Sequence, residues 1–296
     1  MDKKKNQAPA TDIFCALREI DGEAESYEEI TRLRAPGKKR GCYRIQLVDG
    51  RVVKGRCFAS QEKRESFSAL SSALADLPFS RVLSAHGSAI IEEWIAGSSV
   101  SPHELSCGMT GKLAAVLGHL NGRRVPSNAI TGAIAGVDWH AARLRNLLTE
   151  LNDRQRIDSV LAGKLIELAD DHRPKDFAYG LIHTDFHPQN MIRRQQDDVW
   201  IIDNEGLKIG VLDFDIARCW RRWPMTEEQR TQFQHAYTDF RSLSPFLENQ
   251  TFWAINTLAL TATINARYRR PIEAFLTSLS RIVDNDDGAL WPTASV

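Results

Sequence analysis

Apolar residues fall in short alternating or clustered runs over the first third of the chain and at helical spacing over most of the remainder. Tyr43 to Leu47 and Arg51 to Lys54 flank Val48-Asp49-Gly50-Arg51, where Asp-Gly is a strong hairpin signal, so the pattern predicts two antiparallel strands. Phe67, Leu70, Leu74 and Leu77 share one face of a helix over Ser60 to Leu77, and Pro78 stops it. Arg81 to Ala85 and Ala89 to Ile95 read as two further strands. The second runs through Glu92-Glu93-Trp94-Ile95-Ala96-Gly97 into a Gly-Ser stretch, the composition expected where two lobes join.

Beyond that stretch the period becomes helical. Leu105, Leu113, Val116, Leu117 and Leu120 line one face of Pro102 to Leu120, and further helices are expected over Val137 to Leu151 and Arg154 to Asp171. After Pro224, helices over Thr226 to Leu243, Pro245 to Arg267 and Pro271 to Val283 each open on Pro or a Thr-x-Glu type start. Phe177 to Ile182 and Val199 to Ile202 are short, apolar and bounded by polar residues, as strands are. The pattern predicts an α+β architecture, with an N-lobe over residues 13–96 (antiparallel sheet and one helix) and a mainly helical C-lobe over residues 97–296. The first 12 residues, charged and Pro-containing, are expected to be disordered.

Between the two apolar runs lies His183-Thr184-Asp185-Phe186-His187-Pro188-Gln189-Asn190, and the second run ends in Ile201-Ile202-Asp203. Reduced to chemistry this is His-x-Asp-x-x-x-x-Asn followed by an Asp at a strand end, a spacing suited to phosphoryl transfer. That reaction asks little covalent help of a protein. It needs a carboxylate to orient the acceptor hydroxyl, a role Asp185 fits, and oxygen ligands for magnesium, which Asn190 and Asp203 supply. A rival reading makes His183, Asp185 and His187 a zinc triad on an extended segment, but leaves Asn190 and Asp203 idle.

Phosphoryl transfer also calls for a strand lysine, a glutamate partner and a nucleotide hinge. Lys54 closes the predicted hairpin in the lysine's place, although a lone strand lysine is more often a solvated one. Glu65, with Glu62 as the alternative, sits early in the following helix and is the expected partner of Lys54, against a plain surface role in a first helical turn. Backbone groups around Glu93 and Ile95 are the expected contacts for adenine. The phosphate-covering turn would be Gly37-Lys38-Lys39-Arg40-Gly41. It lacks the Gly-x-Gly-x-x-Gly of protein kinases and reads equally well as an ordinary basic turn.

With these motifs in place the chain resembles the aminoglycoside phosphotransferase and choline kinase-like family of small-molecule kinases. The resemblance rests on the segment His183 to Asn190, on Ile202-Asp203-Asn204-Glu205 in place of an Ile-Asp-Phe-Glu type segment, and on Asp215-Ile216-Ala217 as the later Asp-Leu-Ala motif. It spans about Gly37 to Arg218. It implies a protein kinase-like two-lobed fold and use of ATP and Mg2+. It makes Asp185 the catalytic base, His183 the residue that orients its loop, Asn190 and Asp203 the magnesium ligands, and Asp215 a tie between the loop and a helix. Asp213 is a competing metal ligand. Thr184 stands where the family has Gly, and Asn204 where it has an aromatic residue.

Acidic and basic side chains balance at 38 each, so bulk charge recommends neither nucleic acid nor membrane as partner. The five cysteines are scattered, without Cys-x-x-Cys spacing, which fits reduced thiols and a cytoplasmic location. No apolar run approaches the roughly 20 residues of a membrane span. The expected partner is a small hydroxylated molecule. Arg218-Cys219-Trp220-Arg221-Arg222-Trp223 and Arg267-Tyr268-Arg269-Arg270 make the expected acceptor region basic, which argues for a neutral or anionic acceptor over a polycationic drug. Equally, these arginines are solvated or paired with nearby acids. An atypical protein kinase and a catalytically silent nucleotide-binding regulator are the alternative functions.

Overall fold

A computed structural model describes residues 11–21, 27–32, 41–124, 134–195, 198–284 and 290–291. The described residues fall into two compact units. One runs to Ser98 and takes up the chain again over Ile192–Glu205; the other comprises the rest from Ser99 onward.

The first unit is built on a five-stranded antiparallel sheet. Its elements in chain order are helix α1 (Thr11–Asp21), strands β1 (Tyr27–Arg32), β2 (Cys42–Leu47) and β3 (Val52–Cys57), helix α2 (Gln61–Ser72), and strands β4 (Val82–His86) and β5 (Ala89–Glu93). The sheet order is β1-β2-β3-β5-β4. The Asp-Gly turn works as expected: Gly50 adopts φ 85°, which glycine takes without steric cost. Ser60 caps α2 by accepting a hydrogen bond from the Lys63 amide. Helix α1 was not anticipated, and it begins inside the stretch expected to be disordered. Its Ile13, Ala16 and Leu17 are buried with Tyr43, Ile45, Leu47, Val53 and Ile91. Asp12 secures it by accepting hydrogen bonds from the Ser88 amide (2.7 Å) and hydroxyl (2.8 Å). This unit therefore has two helices where one was expected.

The two-residue strand β6 (Ser98–Ser99) precedes helices α3 (Cys107–Gly122), α4 (Val137–Asp153) and α5 (Ser159–Asp171), which lead to strand β7 (Tyr179–Ile182). Strands β8 (Met191–Gln195) and β9 (Asp198–Ile201) follow. The segment they form groups with the first unit, whereas the sequence division at residues 96 and 97 put it with the helical part. Backbone bonding explains this: the Ile201 amide donates to the Pro78 carbonyl (2.7 Å) and the Ser80 amide to the Ile201 carbonyl (3.1 Å). Strand β10 (Lys208–Val211) returns antiparallel to β7 in the second unit. Helices α6 (Leu212–Arg222), α7 (Glu227–Thr238), α8 (Ser244–Glu248), α9 (Gln250–Arg267) and α10 (Glu273–Val283) complete the chain. Helix α9 is the buried axis of this unit, with Trp253, Ile255, Leu258 and Ala259 inaccessible to solvent. The fold is α+β, and no helix among the described residues is long and apolar enough to cross a membrane.

Candidate active site

In the first unit a charged cluster forms on one face of the central strand β3. Alternation along the strand points Lys54 and Arg56 the same way. Lys54 Nζ lies 3.5 Å from Asp203 Oδ1 and 3.9 Å from Glu92 Oε2. Arg56 spreads its guanidinium over three acids, at 3.1 Å from Asp203, 3.2 Å from Glu92 and 3.0 Å from Glu205. Burial alone would weaken the Arg56 charge, but Glu92, Asp203 and Glu205 outweigh it and hold its pKa above the ordinary value. Asp203 takes a left-handed backbone, φ 63°, at the end of β9. Two cations face three carboxylates here, and the outer pair, Asp203 and Glu205, remains partly open to solvent.

The cluster corrects two sequence expectations. Lys54 is paired with Glu92 on the neighbouring strand β5, not with Glu65, which is exposed on α2 and bonded to Gln61 (2.8 Å) and Arg64 (3.2 Å). Glu62 is exposed too. Helix α2 buries its Phe67 and Leu70 face, and the residue it extends inward is Arg64, which donates to the Gly87 carbonyl. The Glu93 amide is not open to adenine either, because it donates to the Arg81 carbonyl at 2.8 Å within the sheet. Ile95 is buried just past the end of β5. Gly41 lies where a Cβ would run into the Tyr43 ring, and its carbonyl accepts from the Cys57 amide. Gly37 lies outside the described residues.

In the second unit the loop from His183 to Asn190 is fixed at both ends. Asp215, inaccessible to solvent in the first turn of α6, accepts from the His183 amide (2.9 Å) and the Thr184 amide (2.7 Å). Burial pushes its carboxyl up, and those amide bonds pull it back. His183 is also fully buried, and its Nδ1 accepts from the Asp185 amide at 3.3 Å, so that nitrogen is the unprotonated one. Thr184 adopts φ 64°, unusual for a β-branched residue, and its hydroxyl donates to the Gly206 carbonyl at 3.2 Å. A Cβ on Gly206 would collide with that hydroxyl and with the His183 carbonyl. The loop thus keeps the bend that glycine would give, with glycine used on the facing segment instead.

Asp185 is surrounded by donors. Asn190 Nδ2 bonds its Oδ2 (2.8 Å) and its backbone carbonyl (3.0 Å), which leaves the Asn190 amide oxygen available as a metal ligand. His187 Nε2 stands 3.5 Å from the same Oδ2. On the other oxygen, Arg218 pairs at 3.1 Å and Arg222 also pairs with Oδ1. Burial would raise the Asp185 pKa, but the His187 hydrogen bond and the Arg222 and Arg218 charges prevail and hold it well below the usual carboxylate range. Asp213 lies buried on α6 with Oδ2 lacking a hydrogen-bond partner, and its pKa is pushed up to about 6 by burial.

Among the described residues no group of three or more His, Cys, Asp or Glu side chains is arranged to hold a metal ion, so the zinc triad on His183, Asp185 and His187 finds no support. The oxygen donors Asn190 and Asp203 suit magnesium, which binds through one or two protein groups and completes its shell with water and phosphate. The reading from sequence missed Arg56, Glu92 and Glu205 in the first unit. The alternation of Lys54 with Arg56 could have revealed the first of them. It placed Arg218 and Arg222 only as basic pocket walls. Their spacing from Asp215, three and then four residues, would have put all three on one face had α6 been recognised as a helix.

Comparison with solved structures gives the same fold. The choline kinase from Cryptosporidium parvum Iowa II is 16% identical over 90% of this chain and 92% of its own, with a TM-score of 0.64. The ethanolamine kinase of Plasmodium vivax is 15% identical over 90% of this chain and 84% of its own, with a TM-score of 0.62. An amicoumacin kinase in complex with AMP-PNP, Ca2+ and Ami is 13% identical, covers 90% of each chain and has a TM-score of 0.66. No curated protein sequence matches at a comparable level. The family model of the phosphotransferase enzyme family matches residues 43–246, most of the chain and all the acidic residues of the two clusters, and the chain belongs to that family.

Proposed function

We propose that the chain is an ATP- and Mg2+-dependent kinase that transfers the γ-phosphoryl group to a hydroxyl of a small molecule. The observation that supports this best is the state of Asp185: a carboxylate whose backbone is pinned through Asp215 and His183 and whose side chain is held by Asn190. A carboxylate whose backbone is so fixed is held in place to orient a hydroxyl. In the reaction the acceptor oxygen forms a bond to the γ-phosphorus as the bond to the bridging oxygen of ADP breaks, and Asp185 receives the hydroxyl proton late in the transfer.

In the first unit Lys54 and Arg56 would meet phosphate oxygens, Glu92 would hold those cations in place, and Asp203 would ligate magnesium. Asn190 is the other proposed magnesium ligand. When bound, magnesium supplies charge neutralisation of the phosphate oxygens. The backbone near Ile95 is the proposed adenine contact. The AMP-PNP and Ca2+ in the amicoumacin kinase structure support a nucleotide and a divalent cation as the ligands.

The test is Asp185→Asn. Acceptor-dependent ATP consumption should fall by about three orders of magnitude or more, while Mg2+-ATP binding measured by calorimetry changes little. Turnover near the wild-type rate in the purified variant refutes the assignment. Transfer of labelled phosphate to protein, with none to small molecules, would instead indicate a protein kinase.

A further inference from the structure

The side-chain partners of Asp185 bear on the identity of the acceptor. An ionised carboxylate offers about four lone-pair sites. Asn190 and His187 take Oδ2, and Arg218 and Arg222 both take Oδ1. No site remains for an incoming hydroxyl until a guanidinium moves.

More positive charge stands close by. Arg143 on α4 and Lys208 on β10 form no ion pair among the described residues, and Arg143 only faces the Trp139 ring at 5.1 Å. Arg143, Lys208 and Arg218 act on one another electrostatically, and Arg222 acts on Arg218. Burial lowers the pKa of Arg143, Lys208 and Arg218, and the neighbouring cations lower it further. The carboxylates that act on Arg218 and Lys208 are Asp185 and Asp215, and Asp215 is committed to the loop amides; Arg143 also borders a groove with Glu150 and Arg267, which pair with each other. Arg218 also keeps a buried Nε without a hydrogen-bond partner. The group has positive charge in excess and unspent guanidinium donors, the arrangement that receives a carboxylate or phosphate through paired hydrogen bonds.

We infer that the acceptor is an anionic hydroxyl compound, whose carboxylate or phosphate is held by Arg218 and Arg222 in the field of Arg143 and Lys208, and whose binding draws the two arginines off Asp185 Oδ1 so that this oxygen can accept the substrate hydroxyl. The inference rests on the kinase reading above. It adds that the acceptor's own charge opens the catalytic carboxylate. Cationic acceptors meet the same arginines as a repulsive wall.

The experiment supplies purified full-length protein and Mg2+-ATP with gluconate and glucose 1-phosphate as anionic acceptors, glucose as the neutral one and glucosamine as the cationic one. ADP release is followed, and the product is identified by mass. Binding of each compound is measured in parallel by calorimetry with Mg2+-AMP-PNP present. At least one anionic compound should bind and react with kcat/KM about tenfold or more above glucose and glucosamine. Its KM should rise with ionic strength, while the KM for ATP changes less. Arg143→Glu and Lys208→Glu should each raise the acceptor KM about tenfold or more with little change in kcat or in the KM for ATP. If either fails to fold, as judged by melting, Lys208→Gln gives the same readout.

Equal or better use of glucose or glucosamine, abolished by Asp185→Asn, overturns the anionic acceptor and leaves the kinase reading standing. Absence of binding by both anionic compounds, or an acceptor KM unmoved in the charge-reversed variants, overturns it too. ATP consumption indifferent to Asp185→Asn overturns the kinase reading itself.

Discussion

At Thr184 a β-branched side chain sits at φ 64°, where Cβ crowds the backbone, and two hydrogen bonds offset the cost: its amide to Asp215 and its hydroxyl to the Gly206 carbonyl. Replacement by Ala removes the hydroxyl and keeps the crowding, whereas replacement by Gly removes both. Thr184→Gly should therefore be more stable to urea than Thr184→Ala by on the order of 1 kcal/mol. The reverse order would mean that the left-handed backbone is not strained. Asp213 presents a cost of another kind, a carboxyl whose folded pKa, about 6, stands above its ordinary 3.8. A raised folded pKa means that the native state holds the proton more tightly, so this group's contribution to stability is full below about pH 4 and is lost as pH rises through 6. Asp213→Asn should then stabilise the protein at pH 7 by on the order of 2 to 3 kcal/mol, and the advantage should vanish by about pH 4. A gain independent of pH in a melting series would refute the buried charge as its cause. His140, kept neutral by burial with a pKa lowered to about 3, contributes in the opposite direction over much of the same range. The comparison of variant with wild type cancels it.

Single elements show how much one helix decides. Helix α1 closes one side of the first unit's core, and Ile13 and Ala16 in it are wholly buried against β2, β3 and β5. Ile13→Ala should cost about 2 to 4 kcal/mol, the usual range for emptying a fully buried aliphatic site. A change under 1 kcal/mol in a denaturant titration would mean that α1 is not docked as described. Helix α6 has the wider effect. Asp215, Arg218 and Arg222 share its face: its first turn anchors the loop from His183 to Asn190, while Arg218 midway along it and Arg222 in its last turn set two guanidiniums on Asp185. A segment that reads along the chain as Trp and Arg residues beside a basic patch is thereby a single positioning device.

Across the whole molecule the residues of the two clusters divide between the units: Lys54, Arg56, Glu92, Asp203 and Glu205 in the first, and Asp185, Arg218, Arg222 and the neutral Asn190 in the second. If Asp203 is the magnesium ligand, Asp203→Ala should abolish most of the rise in melting temperature produced by Mg2+-AMP-PNP, whatever it does to the melting temperature of the free protein. An unchanged nucleotide-induced rise would remove Asp203 from that role. Most of this division follows from strand and helix periods that are visible in the chain. Strands β2, β3, β4 and β5 and the long helices of the second unit lie close to where apolar spacing puts them. Strands β1, β8 and β10 escaped because they are short, and helix α6 because it owes its burial to neighbours distant in sequence, which no local period records.

The sequence alone determined the residue types and spacing of the loop from His183 to Asn190, the family they imply and the helical and stranded halves. These depend on local spacing, on residue type and on turn residues such as Asp49-Gly50. Tertiary structure decided who pairs with whom. Glu92 replaced Glu65 beside Lys54 because adjacent strands hold the two in register, while α2 turns Glu65 to solvent. Asp215, Arg218 and Arg222 met the loop only once β10 had returned beside β7 and handed the chain into α6. Spacing along a chain sets which side chains share a face, but only the packing of distant segments sets what that face meets.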